Sequence, residues 1–247
     1  MFTRVKGRNI YYLREGKGEK FLLVHGWGGT VCSLQGLFEK ISQNYDVIAL
    51  DLPGFGQSDQ PGADWGIGAY AEFLLEFLSQ LGVKKTAYFG HSFGGSLGIY
   101  LSAKYPKRIS RLILCGASFK REKKKSRMTD FLKQVILNES LYRIVTKPFR
   151  KIFYRIFYPH SDLIKYPHLE SNFRKIVDED LTPLLDKINV DTLIIWGGSD
   201  RQTPVELAYL LHKKIKSSKL KIMAKSGHNL PLVNPELVYR EIEKLRV

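Results

Sequence analysis

Cysteine is scarce in this sequence: Cys32 and Cys115 are the only two in 247 residues. They do not form a Cys-x-x-Cys motif, so no disulfide framework or thiol metal site is indicated, and a reducing compartment is the expectation. Cys115 closes an apolar run and reads as a small buried hydrophobe. Long apolar runs are lacking too. No stretch approaches the roughly 20 residues that a membrane-crossing helix needs, and residues 1–20 lack the apolar core of a signal peptide. These absences make a soluble, cytoplasmic protein the expectation. No self-similarity at a repeat-length period appears, which argues against a solenoid. Acidic residues are short in number, 24 Asp and Glu against 39 Lys and Arg, leaving a formal net charge of +15. Nucleic acid, an anionic membrane surface or an acidic substrate would each be attracted by that charge. A Lys/Arg-rich solubilising surface is the simpler account. No nucleic-acid-binding motif accompanies the charge, so no nucleic-acid partner is expected.

What is present is a globular composition, 44% hydrophobic and 26% charged. A chain of this length can bury a full core in one α/β domain. Residues 11–14, 21–24, 47–50, 87–89 and 112–114 are short apolar runs that read as strands. Residues 31–41, 70–81 and 94–105 have helical spacing, the second with Phe73, Leu74, Phe77, Leu78 and Leu81 on one face. Pro106 stops the third. Strand signals return at 192–196 and 220–223, each followed by a helical stretch, 205–215 and 235–245. Apolar strands alternating with helices predict an α/β fold with a mostly parallel sheet covered on both faces. Right-handed crossovers then set the strand C-termini along one edge, where the informative loops gather.

The rhythm breaks near Ala117. Residues 118–185 show no clear strand. They are basic over 120–127, then helical and aromatic, with Phe149, Ile152, Phe153, Ile156 and Phe157 at helical spacing between Pro148 and Pro159. This predicts a helical cap, 118–185, inserted into a core made of 1–117 and 186–247. Phe149 and Phe153 are candidates for lining an apolar substrate pocket; packing the cap onto the core is their other reading. The basic stretch is either a solvated loop or a weak contact with an anionic membrane surface.

Gly90-His91-Ser92-Phe93-Gly94 stands where a strand meets a helix. Small residues flank the serine in a tight turn, the strained backbone aims the hydroxyl off the sheet edge, and the helix N-terminus adds partial positive charge. A serine hydroxyl is a poor nucleophile at neutral pH and needs a base. His228, in a Gly-marked loop after the last short strand, is the candidate. That base needs an acid to fix its tautomer, and Asp200 stands just past the end of the strand at 192–196. Singly, each has an ordinary reading: a Gly/Ser turn, a solvated histidine, an aspartate that caps the next helix or makes a turn. Their order along the chain, nucleophile then acid then base, each at a strand end, favours a catalytic triad. Residues 115–118, the other place for the acid, hold no carboxylate. His25-Gly26-Trp27-Gly28-Gly29 follows the strand at 21–24. Gly26 and Trp27 are candidate substrate contacts, and the amides of Trp27 and Phe93 are candidate oxyanion donors. His25 reads as a brace for this loop.

These segments, together with Asp51-Leu52-Pro53-Gly54-Phe55-Gly56-Gln57-Ser58, resemble the α/β-hydrolase superfamily across nearly the whole core. Within it the chain is similar to small capped carboxylesterases such as pimeloyl-ester esterases. Acyl-homoserine-lactone lactonases, carbon–carbon bond hydrolases and monoacylglycerol lipases share the pattern. Haloalkane dehalogenases and epoxide hydrolases of this fold use aspartate at the elbow, where Ser92 stands here. The chain departs from many relatives at Asp191, where they carry proline. The resemblance implies hydrolysis of a small-molecule ester or lactone through an acyl-enzyme, with no metal and no organic cofactor. A lactonase or carbon–carbon hydrolase on the same triad is the alternative reading. A non-enzymatic ligand receptor on this fold is a further one.

Overall fold

A computed structural model describes residues 1–120 and 165–245. Its frame is an eight-stranded sheet. The strands are β1 (Phe2–Val5), β2 (Arg8–Glu15), β3 (Lys20–Val24), β4 (Asp46–Leu50), β5 (Thr86–His91), β6 (Ile109–Cys115), β7 (Thr192–Gly197) and β8 (Ser218–Met223). They lie in the order β1-β2-β4-β3-β5-β6-β7-β8. Pairing is antiparallel from β1 to β2 and from β2 to β4, and parallel everywhere else. The expectation of a mostly parallel sheet is met. The antiparallel β1 is an addition that the sequence pattern did not reveal.

The apolar runs work on both sides of the sheet because side chains alternate. Leu22 and Val24 of β3, Ile48 and Leu50 of β4, Leu112 and Leu114 of β6, and Ile194 and Trp196 of β7 enter one core. Phe21 and Leu23, Val47 and Ala49, Ile113 and Cys115, and Leu193 and Ile195 enter the other. Helices α2 (Ile67–Gln80), α3 (Phe93–Lys104) and α5 (Val205–Lys214) cover the first face. Helices α1 (Gln35–Ile41) and α6 (Pro235–Glu243) cover the second, through Leu37, Phe38 and Ile41 and through Val238 and Ile242. Helix α2 begins three residues before the expected 70–81, and its predicted face holds: Phe73, Leu74, Phe77 and Leu78 are buried. Fully burying each such side chain contributes about 1.5–3 kcal/mol.

Of the segment 118–185, the described parts are its two ends. Phe119, Leu181 and Leu185 belong to the first core, and the Leu181 amide donates to the Phe119 carbonyl. The returning chain forms α4 (Glu170–Asp178). The expected pocket residues Phe149 and Phe153, and most of the basic stretch, lie outside the described residues. No helix among the described residues is long and apolar enough to cross a membrane.

Candidate active site

Parallel pairing of β3, β5, β6, β7 and β8 brings five strand C-termini to one edge. The loops after them carry His25–Gly29, Ser92, Gly116, Asp200 and His228. Every loop singled out from the sequence therefore meets at this edge.

Ser92 joins β5 directly to α3 with φ 51° and ψ −112°. A non-glycine residue there carries strain of about 1–3 kcal/mol and persists only when the surroundings fix it. They do. The Ser92 amide donates to the Cys115 carbonyl at 3.0 Å, and the Ser92 carbonyl accepts from Gly95, Ser96 and Ser118. The turn has no room for side chains. A Cβ on Gly90 would lie 2.3 Å from the Gly94 oxygen, and one on Gly94 would lie 2.4 Å from the Val24 oxygen. The Tyr88 hydroxyl, buried beneath, donates to the Gly94 carbonyl at 2.7 Å.

Asp200 makes a turn and also bonds His228; it does not cap the helix that follows, whose N-cap is Pro204 with no side-chain bond. Its Oδ1 accepts from the amides of Gln202 and Thr203, each at 2.8 Å. Its Oδ2 accepts from Thr203 Oγ1 at 2.7 Å and from His228 Nδ1 at 2.8 Å. Burial opposes ionisation of this carboxyl, but the bonds from His228 and Thr203 together outweigh it and hold its pKa below the usual carboxylate value. An ionised Asp200 requires the hydrogen on His228 Nδ1, which leaves Nε2 bare to accept a proton. Gly116, at φ 56°, lies against this pair; a Cβ there would sit 3.3 Å from His228 Nδ1 and 3.4 Å from Asp200 Oδ2.

Asp200 and His228 are thus hydrogen-bonded. Ser92 shares their sheet edge, but no hydrogen bond joins its hydroxyl to His228 among the described residues. The ring of His91, the residue before Ser92, lies against His228 with centroids 4.9 Å apart.

His25 is buried, and its tautomer is fixed by its partners. Its Nε2 accepts from the Leu52 amide at 3.0 Å, so Nδ1 donates to the Gly26 carbonyl at 2.7 Å. Burial lowers its pKa. The Gly26 carbonyl also accepts from the Gly29 amide at 3.0 Å. The Trp27 N–H belongs to the same planar peptide unit and points the opposite way. Among the described residues neither the Trp27 nor the Phe93 amide has an acceptor. The Trp27 ring packs on Phe55, Phe93 and Phe173. Tyr166, on the returning chain, donates its hydroxyl to the Gly28 carbonyl at 3.1 Å.

Thr203, His91 and Tyr166 were not among the candidates read from the sequence. Thr203 follows an aspartate by three residues, a spacing that ordinary turns share. His91 occupies a variable position of the serine motif. Tyr166 lies within the segment 118–185, which gave no motif. Among the described residues, no group of three His, Cys, Asp or Glu is arranged to hold a metal.

The model of the alpha/beta hydrolase fold matches residues 20–157. An uncharacterised hydrolase of Bacillus subtilis, YugF, is 30% identical over 261 residues, spanning 96% of this chain and 94% of that one. A pimeloyl-[acyl-carrier protein] methyl ester esterase of Neisseria meningitidis serogroup B is 27% identical over 233 residues, spanning 85% of this chain and 86% of its own. The enol-lactonase from Burkholderia xenovorans LB400 has the same fold, with a TM-score of 0.77 at 20% identity over 99% of this chain and 98% of that chain. With its sheet, its elbow and a family match over more than half its length, this chain belongs to the α/β-hydrolase family and is a hydrolase.

Proposed function

We propose that the chain is a serine hydrolase that cleaves carboxylic esters of small to medium acyl chains through an acyl-enzyme. The observation that carries this reading is the Asp200–His228 hydrogen bond of 2.8 Å at the same sheet edge as the strained Ser92. In this mechanism His228 Nε2 takes the Ser92 proton as Oγ attacks the acyl carbonyl. Asp200 holds the resulting imidazolium and keeps its tautomer. The amides of Trp27 and Phe93 receive the oxyanion, and the bonds on the Gly26 carbonyl keep the first of them aimed. His228 then protonates the leaving alcohol. Water, deprotonated by the same imidazole, attacks the acyl-enzyme and releases the acid and Ser92. No metal or cofactor takes part in these steps.

The segment 118–185 is read as the lid of this site, with Gly26, Trp27, Phe149 and Phe153 contributing to the substrate pocket. The described contacts that support a lid are those of Tyr166 with Gly28 and of Phe173 with Trp27. Two free cysteines, one of them buried, suit a reducing compartment; we place the enzyme in the cytoplasm.

The test is a panel of aryl esters, thioesters, acyl lactones and ring-cleavage ketones of graded acyl length, run on the wild type and on Ser92→Ala. The proposal expects turnover of short-chain esters, reduced by at least about 10³-fold in Ser92→Ala. Preference for lactones or ketones, with the same loss in Ser92→Ala, would move the assignment to the alternative on the same triad. A folded wild type with no hydrolysis of any of them would contradict it.

A further inference from the structure

No step of the proposed mechanism uses His91, yet this residue is 5% exposed and packs against His228. Its Nε2 is 2.9 Å from the main-chain oxygen of His228. A carbonyl oxygen only accepts, so Nε2 carries the hydrogen. The two imidazole planes meet at 44°. On the other side, a Cβ on Gly26 would fall 3.1 Å from His91 Nδ1 and 3.1 Å from Ser92 Cβ. One ring therefore touches the loop that carries the base and the glycine before Trp27, and stands one peptide bond from the nucleophile.

The loop of His228 needs such a tie. Hydrogen bonds to main-chain oxygens hold the chain at Ser226 and again at Asn229. Between them, the main chain of residue 228 is held among the described residues by His91. A shift of this carbonyl would carry the imidazole with it. Misplacement of a reacting group by about 1 Å can cost about a hundredfold in rate.

We propose that His91 is a positioning residue for the base: it fixes the main chain at residue 228 and stays uncharged while His228 gains and loses its proton. The proposal rests on the triad reading above. Neutrality matters because a second imidazolium at this distance would oppose protonation of His228. The groups facing His91 are His228 after β8, Asp200 after β7, His25 after β3 and the Cys115 thiol of β6. Burial, reinforced by His228, lowers the His91 pKa to about 3. Across neutral and mildly acidic pH the ring therefore remains a donor at Nε2 without becoming a cation.

The experiment compares the wild type, His91→Leu and His91→Gln on one short-chain aryl ester, with kcat and KM followed between about pH 5 and 9. Leucine removes the donor; glutamine keeps one. His91→Leu should lose about 10- to 100-fold in kcat with KM changed by no more than about twofold, and the pH profile of kcat should change. His91→Gln should recover most of the loss. In ¹⁵N spectra of wild-type histidines, His91 should hold one shift pattern across that range, protonated at Nε2. A folded His91→Leu enzyme with wild-type kcat and pH profile would overturn the proposal. So would a His91 ring that titrates in that range, a result that stands even where His91→Leu does not fold. Wild-type turnover by Ser92→Ala is a separate result, and it would sink the triad reading instead.

Discussion

Oδ1 of Asp200 faces the Gln202 and Thr203 amides while Oδ2 faces Thr203 Oγ1 and His228 Nδ1, so the carboxylate is used at both oxygens. An amide at this position would present a hydrogen to one of them. Asp200→Asn should therefore favour the wrong tautomer of His228 and lower kcat by about 10⁴-fold with the fold intact, as read by steady-state kinetics and circular dichroism. The same donors hold the Asp200 pKa below its usual value. A depressed carboxyl stabilises the fold above its unfolded-state pKa, and that contribution fades as pH falls through the folded value. Urea unfolding from neutral to acidic pH should thus show a steeper loss in the wild type than in Asp200→Asn. At this scale the sequence made Ser92, Asp200 and His228 legible, because a motif and a chain order point to them. Thr203 and His91 were hidden. Thr203 bonds an aspartate three residues away, a spacing that ordinary turns share, and His91 bonds a main-chain oxygen distant in sequence, which leaves no spacing to read.

Among the elements, the strand-to-helix turn at Ser92 is the least tolerant of change. A methyl group on Gly94 would meet the main-chain oxygens of Val24 and His25, at 2.4 and 2.8 Å, and neither can move without shifting β3. Gly94→Ala should lower stability by about 3 kcal/mol, measured by urea unfolding; a loss below about 0.5 kcal/mol would show that the turn is slacker than described. At the opposite end of the sheet, Asp46 of β4 pairs with Arg14 of β2, through bonds of 2.9 and 2.8 Å, and with Lys20 of β3. Arg14, ahead of burial and Lys20, sets the balance that lowers the Asp46 pKa to about 2. Asp46→Asn should cost about 2 kcal/mol at neutral pH. That difference from the wild type should shrink as pH falls toward 2. The parallel strands were readable because both of their faces are apolar. Strand β1 was not: Phe2-Thr3-Arg4-Val5 has no apolar run, and its place comes from a hairpin. Lys6 and Gly7, at φ 46° and 81°, make the two-residue turn. Lysine at the first turn position gives none of the Asn-Gly signal that marks such hairpins.

For the whole molecule, a net charge of +15 repels itself in the compact state. Raising sodium chloride from roughly 20 to 300 mM should screen this repulsion and raise the thermal midpoint; a fall would place the dominant charge effect in attractive pairs such as Arg14–Asp46. Part of the basic surface has a structural account. Strand β8 is a sheet edge, and its exposed Lys219 and Lys221 discourage pairing with another chain. Substrate choice was the least legible property. It depends on the shape of a pocket, and the sequence between the two halves of the core carries helical spacing without chemistry-bearing motifs. The assembly of five loops at one sheet edge leads to a single chemical claim, that the Ser92 hydroxyl is activated by His228. Its most direct measurement is covalent labelling with a fluorophosphonate, followed by peptide mapping. The account predicts an adduct on Ser92 alone, formed at least about 10²-fold more slowly in His228→Gln. An adduct elsewhere, or labelling of Ser92 at the same rate without the histidine, would contradict it.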